Sequence, residues 1–131
     1  LVMAEHAYYA ANFMDHGFTP GVGATYLFPD KFGPVLGREM LLTARRYQGR
    51  ELKSRGAPMD IVPRDQVLPA ALELARKLVT KPLLQLRELK AHLAHPIARE
   101  LEEVFEKEQA MHDVVFAEHR GGDTQDGASD D

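Results

Sequence analysis

A cluster of glycine and proline residues constrains this chain more than any other feature. Three glycines and a proline fall within the nine residues from Gly17 to Thr25, a composition that marks a loop. Short apolar and aromatic runs precede the cluster and are typical of buried strands, whereas the segments after it show helical spacing. The sequence therefore predicts an opening of strands and a loop, followed by a run of helices.

Apolar spacing and chain-breaking residues place the predicted elements. Before the last helices we expect five elements. They are extended runs over residues 1–4, 8–14 and 59–63, a helix over 32–44 and a helical turn over 50–55. Asp65 is expected to cap the helix that follows. Pro82 and Pro96 then predict two breaks, which leave two further helices over 83–94 and 97–119.

The composition excludes several classes of protein. With 131 residues, of which 44% are hydrophobic and 27% charged, the chain has the size and composition of one globular domain. The sequence contains no cysteine, which excludes disulfides, thiolate metal sites and a cysteine nucleophile. No apolar run approaches the ~18 residues that a membrane span needs, so we expect no membrane partner and a cytoplasmic protein.

The formal net charge of −4 comes from the end of the chain. Four aspartates follow Arg120 with no later basic residue to offset them, and without them the rest of the chain is neutral. Nucleic-acid binding normally requires a basic face, so no nucleic-acid partner is expected. Residues 121–131 have no apolar side chain larger than alanine, and we expect a disordered acidic tail over 120–131.

The last predicted helix carries a histidine inside its apolar face. That face is formed by residues at helical spacing: Ile97, Leu101, Val104, Phe105, Met111, Val115 and Phe116. His112 lies seven residues after Phe105 and four before Phe116, so it belongs to the same face. A histidine among apolar side chains is suited to proton transfer; the alternative is a core histidine with one satisfied hydrogen bond.

Histidine spacing offers weak candidates for a metal site. Glu108 and His112 are four residues apart, so the carboxylate could orient the imidazole or help to hold a metal. His92 and His95 are three apart, but no acidic third ligand is evident, and a solvated pair is the simpler interpretation. We therefore expect no metal.

The loop and two segments after it carry a family resemblance. Residues 10–25 read Ala-Ala-Asn-Phe-Met-Asp-His-Gly-Phe-Thr-Pro-Gly-Val-Gly-Ala-Thr, which resembles the Pro-Gly-x-Gly-x-Thr segment in the second half of the crotonase, or enoyl-CoA hydratase/isomerase, superfamily. Glu39–Ala44 resembles the family's Met-Leu-Thr-Gly helix end, and Gly49–Leu52 resembles the start of its next helix. The resemblance implies an α/β, crotonase-like fold, of which this C-terminal portion is mostly helical with a few short strands from the core sheet.

The same resemblance implies that the chain covers the C-terminal half of that fold. Residues 1–64 correspond to the end of the crotonase core with its glycine-rich loop, 65–119 to a C-terminal helical region used for trimerisation, and 120–131 to the tail. The chain opens at Leu1 inside a predicted strand, and the family's oxyanion-hole donors and active-site lysine lie upstream of the matched segment. The N-terminal half of the fold is therefore an implied partner, without which this chain is not expected to catalyse a reaction.

Three shorter motifs resemble a narrower group, the crotonase-fold decarboxylases of polyketide β-branching cassettes. They are Tyr8–Met14, Gly17–Gly21 and Met111-His112. The resemblance implies decarboxylation of 3-methylglutaconyl-acyl carrier protein to 3-methylcrotonyl-acyl carrier protein through a thioester enolate. The substrate is then carried on a phosphopantetheine arm, and no other cofactor is expected. The alternatives are an enoyl-CoA hydratase or isomerase and a non-catalytic crotonase-like assembly module.

The resemblance also assigns site residues and shows one departure from the hydratases. Counting back from Pro20-Gly21, the position of the hydratases' acid/base glutamate falls on Phe13, and a phenyl ring cannot handle the protons of an attacking water. Decarboxylation needs no activated water, but it needs a proton donor and stabilisation of an oxyanion. His112 is implied to orient the leaving carboxylate or to deliver the proton, and Phe13, Met111 and Phe116 form the predicted substrate pocket.

Two surfaces are candidates for protein partners. Crotonases assemble as trimers, so the resemblance implies a homotrimer with contacts through the long helices. Five cations lie close together in the sequence, at Arg45, Arg46, Arg50, Lys53 and Arg55. They could dock an acidic acyl carrier protein by charge complementarity; a solvated helix face is the alternative.

Overall fold

Short strand pairs and five helices make up the part of the protein that the structure, a computed structural model, describes, namely residues 1–122. The strands are β1 Val2–Ala4, β2 Tyr8–Tyr9, β3 Tyr47–Gln48 and β4 Asp60–Val62. The helices are α1 Ala24–Phe32, α2 Pro34–Thr43, α3 Gly49–Ser54, α4 Val67–Val79 and α5 Leu83–Gly122. Two 3-10 turns lie at Met14–His16 and Arg64–Gln66. The predicted fold class, mostly helical with a few short strands, is confirmed.

The strand pairs join the start of the chain to residues far along it. β1 runs parallel to β4, with Met3 opposite Ile61, and β2 runs antiparallel to β3, with Tyr9 opposite Tyr47. Each of the three predicted extended runs contains a strand, although in the run 8–14 the strand covers only the two tyrosines. The pairs bring Met3 into the core beside Ile61.

The hydrophobic core is built from the first half of the chain. Its buried apolar side chains come from the strands, from α1 to α3 and from the loop before α1: Met3, Ala11, Ala24, Leu36, Met40, Leu41, Tyr47, Leu52 and Ile61. After Ile61 the next buried residue is Glu108, so α4 and the first part of α5 contribute no buried side chain. The later part of α5 therefore lies beside the core, next to the glycine-rich loop.

A glycine divides the helical region after the loop into two helices. Gly33 has a φ of +85° and a ψ of 158°, which is a conformation that glycine adopts readily and other residues avoid. Pro34 then occupies the start of α2, where its missing N–H is not needed. The single helix predicted over 32–44 is therefore wrong at its start, since Phe32 is the last residue of α1.

Two predictions about the later helices are wrong. α5 continues through Pro96, although Pro96 predicts a break. Proline removes one N–H donor, but the turns on both sides keep their hydrogen bonds, and 83–94 and 97–119 form one helix. Asp65 lies in a 3-10 turn and accepts a hydrogen bond from the Gln66 side chain at 3.4 Å, and α4 begins without a side-chain cap.

The extent of α5 bears on two further predictions. Its helical backbone runs to Gly122, so residues 120–122 of the tail predicted over 120–131 are helical, and residues 123–131 lie outside the described residues. α5 is long enough to cross a bilayer but not apolar enough, and within residues 1–122 no helix meets both requirements.

A cluster of ion pairs ties the end of α2 to β3 and α3. The Glu39 carboxylate accepts hydrogen bonds from both Nη atoms of Arg55, each at 2.6 Å, and from the Tyr47 hydroxyl at 2.9 Å. Arg45 lies over the Tyr47 ring, 3.8 Å from its centroid, and pairs with Glu51. The Arg55 guanidinium, followed by the Tyr47 hydroxyl, lowers the pKa of Glu39 from 4.5 to about 2.

We expect Glu39→Gln to destabilise the intact protein at neutral pH and to flatten the pH dependence of its stability. Because the folded-state pKa of Glu39 lies below its unfolded value, its contribution to the free energy of unfolding is present above pH 4.5 and is lost as the pH falls to about 2. Urea unfolding over that pH range measures the difference. Glu73→Gln is the control, since Glu73 forms an exposed pair with Lys77 one helical turn away, and such pairs contribute little. Equal effects of the two substitutions would contradict the expectation.

Candidate active site

A cavity of about 500 Å³ lies between the glycine-rich loop and α5. Its walls come from the segment before α1 and from one face of α5: Phe13, Phe18, Gly21, Val22, Phe105, Glu108, Gln109 and His112. Three phenyl rings make the lining mainly apolar, and one glutamate and one histidine supply its titratable groups. Phe13 and His112, which the sequence assigns to one site, therefore line the same cavity.

The backbone of Thr19 orients the His112 ring. The Thr19 carbonyl oxygen lies 2.7 Å from His112 Nε2, and because a carbonyl only accepts, Nε2–H is the donor. Nδ1 is then the ring nitrogen left for another partner. The bond is what a core histidine would make, but the ring also lines the cavity, so the role of His112 in proton transfer stays a prediction.

Glu108 bridges α5 and the start of α1. The residue is only 4% exposed, and its carboxylate accepts hydrogen bonds from the Gly23 N–H at 2.7 Å, the Thr25 N–H at 2.9 Å and the Thr25 hydroxyl at 2.7 Å. The two N–H groups belong to the first turn of α1, where helical partners are lacking and negative charge is favoured. Spacing in the sequence pairs Glu108 with His112, whereas the structure directs the carboxylate to the loop.

The loop held by these contacts is strained and closely packed. Val22 has a φ of +54°, which is rare for a β-branched residue. At Gly23, with a φ of +81°, a Cβ would lie 2.8 Å from Leu101 Cδ2 and 3.2 Å from Phe105 Cε1. A side chain at position 23 would therefore have to displace Leu101 and Phe105, and it would also be strained by the positive φ.

The other two predicted pocket residues lie on different sides of α5. The Phe116 ring packs against His112 and Phe18, with centroid separations of 6.0 and 5.9 Å, so it borders the cavity. Met111 lines a second cavity of about 430 Å³ together with residues of α2. The structure thus brings Phe13, Phe116 and His112 together and separates Met111 from them.

The remaining polar candidates lie outside the cavity. His92 and His95 are exposed on α5, and no three His, Asp or Glu side chains within residues 1–122 are placed to hold a metal ion. Three of the five clustered cations are paired with carboxylates: Arg45 with Glu51, Lys53 with Glu5, and Arg55 with Glu39. Among the described residues, Arg46 and Arg50 form no ion pair, so the predicted docking surface offers less free charge than its sequence indicates.

The fold and the cavity together define the class of protein. The glycine-rich loop leads into α1 next to the paired strands. The late helix α5 forms one wall of an apolar cavity, and a histidine of that helix lines it. With the sequence of the loop, this arrangement is that of a crotonase-type chain. The chain belongs to the enoyl-CoA hydratase/isomerase family, whose model matches residues 1–126.

Several relatives within this family are named as decarboxylases. Bacillaene synthase decarboxylase PksI of Bacillus subtilis (strain 168) is 44% identical over 116 residues, which is 88% of this chain and 47% of the relative. A solved structure from a dehydratase/decarboxylase enzyme couple involved in polyketide β-branching is 45% identical, with a TM-score of 0.83 over 86% of this chain and 50% of its own. The ECH2 decarboxylase domain of CurF from Lyngbya majuscula is 38% identical, with a TM-score of 0.85 over 88% of this chain and 47% of its own. The chain spans about half the length of these relatives.

We expect Gly21→Ala to displace the His112 ring by a few tenths of an ångström. A Cβ at position 21 would lie 3.2 Å from His112 Nε2 and 3.3 Å from Cε1, which is closer than ordinary van der Waals contact. A crystal structure of the variant would measure the shift and the lengthening of the bond to Thr19. The control is Gly17→Ala, where a Cβ meets no atom within 4 Å. The φ of +73° at Gly17 strains an alanine backbone, so a ring shift caused by loop strain alone would appear in the control as well. An unmoved ring in the first variant would contradict the expectation.

Proposed function

We propose that the intact protein decarboxylates 3-methylglutaconyl-acyl carrier protein to 3-methylcrotonyl-acyl carrier protein. The observation that carries the proposal is the cavity shared by Phe13 and His112, with a phenyl ring at the position that the family resemblance gives to the hydratases' glutamate. The names of PksI and of the CurF domain, both decarboxylases, support the reaction type.

The proposed reaction breaks one carbon–carbon bond and consumes one proton. The bond from C4 of the acyl group to the carboxylate breaks, CO₂ leaves, and the electron pair is delocalised through the C2–C3 double bond onto the thioester oxygen. A proton then adds at C4 and gives the 3-methylcrotonyl group. The thioester accepts the electron pair, so we propose no cofactor beyond the phosphopantetheine arm that carries the substrate.

His112 is proposed to deliver this proton or to orient the leaving carboxylate. Its Nε2–H is bonded to the Thr19 carbonyl, so Nδ1 is the atom proposed to act on the substrate. In either role Nδ1 carries a proton, taken up from solvent before the step, so that the imidazole is protonated on both nitrogens when it acts. The phenyl ring of Phe13 cannot solvate a carboxylate, which favours conversion of that group to neutral CO₂. Phe116 and Met111 are proposed to complete the pocket in the intact protein; for Met111 this requires that the second cavity be continuous with the first.

The remaining machinery is proposed to come from the N-terminal half of the fold. Stabilisation of the enolate requires oriented donors at the thioester oxygen, and the family resemblance assigns those donors and a lysine to residues upstream of the matched segment. Since the chain spans about half the length of its relatives, we propose that both halves are needed for turnover.

Hydration is the second candidate function, because one carboxylate does line the cavity. Glu108 lies there, but its two oxygens accept three hydrogen bonds from Gly23 and Thr25. A general base must reach the proton that it removes, and a carboxylate held in this way is not free to approach a water. Decarboxylation is therefore the better supported reaction.

We expect His112→Ala in the intact protein to lower the rate of CO₂ release from 3-methylglutaconyl-acyl carrier protein at least ~100-fold, within the range of a proton-transfer group. His92→Ala is the matched control, since His92 is exposed on the same helix, and it should leave the rate unchanged. The assay follows CO₂ and hydrated product together. Unchanged turnover in His112→Ala would refute the proposed role, and hydration without CO₂ release by the wild type would favour a hydratase.

We further propose that the protein assembles as a homotrimer and that an acyl carrier protein is its substrate partner. α4 and the first part of α5 expose many large apolar side chains: Leu68, Leu72, Leu74, Leu78, Val79, Leu83, Leu84, Leu89 and Leu93. Five of the apolar residues in this region line a groove of about 650 Å³: Leu78, Leu86, Leu89, Leu93 and Ile97. Exposed apolar surface on this scale is typical of an interface. Arg46 and Arg50 are the cations proposed to dock the carrier protein.

We expect the double substitution Leu89→Glu and Leu93→Glu to convert the trimer into smaller species. Two carboxylates in the groove would lose solvation at the interface without gaining partners. Sedimentation velocity measures the change in mass. Arg87→Glu is the control because Arg87 is exposed on the same helix but outside the residues that line the groove. A double variant of unchanged mass would contradict this interface.

A further inference from the structure

Two residues on one face of α5 form hydrogen bonds to the same loop. Glu108 binds the Gly23 and Thr25 end of the loop, and His112, one turn later, binds the Thr19 carbonyl at its other end. The loop between Thr19 and Thr25 is thus held at two points, and we call these contacts the two-point clamp. The Glu108 contact is buried and joins residues 85 positions apart.

The loop needs this support because its backbone is strained. Val22, midway between the two points of the clamp, has a φ of +54°, and such conformations persist only where surrounding contacts determine them. Glu108 supplies three of those contacts, two of them to backbone N–H groups. Its negative charge also lies at the N-terminus of α1, where charge of that sign is stabilised.

The position of the Thr19 carbonyl follows from the position of the loop. At 2.7 Å the Thr19 carbonyl favours a hydrogen on Nε2 of His112, and a neutral imidazole with Nε2–H presents Nδ1 as an acceptor. A loop released from Glu108 would move Thr19, and the two tautomers of His112 would then become closer in population. Glu108 can therefore act on His112 without a direct hydrogen bond between the two side chains.

We propose that Glu108 is a positioning residue: by fixing the loop through Gly23 and Thr25, it holds the Thr19 carbonyl against His112 and sets the tautomer that offers Nδ1 to the cavity. The effect of Glu108 on turnover rests on the proposed decarboxylation. Its effect on the imidazole does not, because the tautomer is a property of the resting protein.

The test compares Glu108→Gln with the wild type in the intact, ¹⁵N-histidine-labelled protein. An amide keeps the size of the side chain and one acceptor oxygen, but it loses the charge and turns an NH₂ group toward the donors of the other oxygen. We expect the wild-type His112 signals to report the Nε2–H form and those of the variant to report a mixture. In CO₂ release we expect kcat to fall by about 10- to 100-fold, as for a misplaced catalytic group, with little change in KM.

Two substitutions at position 25 distinguish an effect on the position of the loop from a failure of the protein to fold. Thr25→Val removes one of the three hydrogen bonds and keeps the backbone N–H, whereas Thr25→Ser keeps the hydroxyl donor. We expect the valine variant to shift the tautomer in the same direction as Glu108→Gln, to a smaller extent, and the serine variant to match the wild type. If Glu108→Gln does not fold, this pair decides the question.

Three results would overturn the proposal. The first is a wild-type His112 that carries its hydrogen on Nδ1. The second is a folded Glu108→Gln protein with the wild-type tautomer, and the third is a valine variant identical to the serine variant in tautomer. If the wild type releases no CO₂, the proposed function fails, but the imidazole signals still decide whether Glu108 sets the state of His112.

Discussion

The buried carboxylate of Glu108 is the interaction on which the geometry of the cavity depends. The core is complete without α5, since its apolar members all come from residues 3–61. Apolar contacts of Leu101 and Phe105 bring α5 against the loop, but such contacts are not directional and leave the helix some freedom to rotate. Three hydrogen bonds from the loop to one carboxylate fix its rotation more narrowly, with His112 facing Thr19.

The continuity of α5 extends the influence of that contact. Because the helix does not break at Pro96, fixing it at Glu108 also fixes the direction of its first part, which carries exposed leucines away from the core. The apolar surface proposed as the trimer interface and the cavity therefore share one rigid element. A change in the proposed interface would reach His112 through the same helix.

Local patterns in the sequence predicted most elements and placed His112 among apolar residues of the last helix. The glycine-rich loop, the helical turn over 50–55 and the place of His112 beside Phe105 and Phe116 each depend on neighbours a few residues apart, and the structure shows all three. The predictions at Asp65 and Pro96 are wrong because a helix cap or a helix break also depends on competing contacts, which the local sequence pattern does not contain. The sequence singles out Glu108, but it does not predict the hydrogen-bond partners Gly23 and Thr25, which lie 85 and 83 residues earlier. Met111 adjoins His112 in sequence, yet a helix turns it toward another cavity.

Two features of the cavity together restrict the chemistry that it can support. Activation of water needs a carboxylate that is free to move a proton. Phe13 occupies the position where the family resemblance places one, and Glu108, the carboxylate that does line the cavity, is engaged by the loop. Both features disfavour water activation, whereas the apolar walls disfavour an ionised substrate carboxylate. Among the described residues that line the cavity, His112 is the remaining titratable group, and it is the one proposed to exchange, through Nδ1, the single proton that the proposed loss of CO₂ requires.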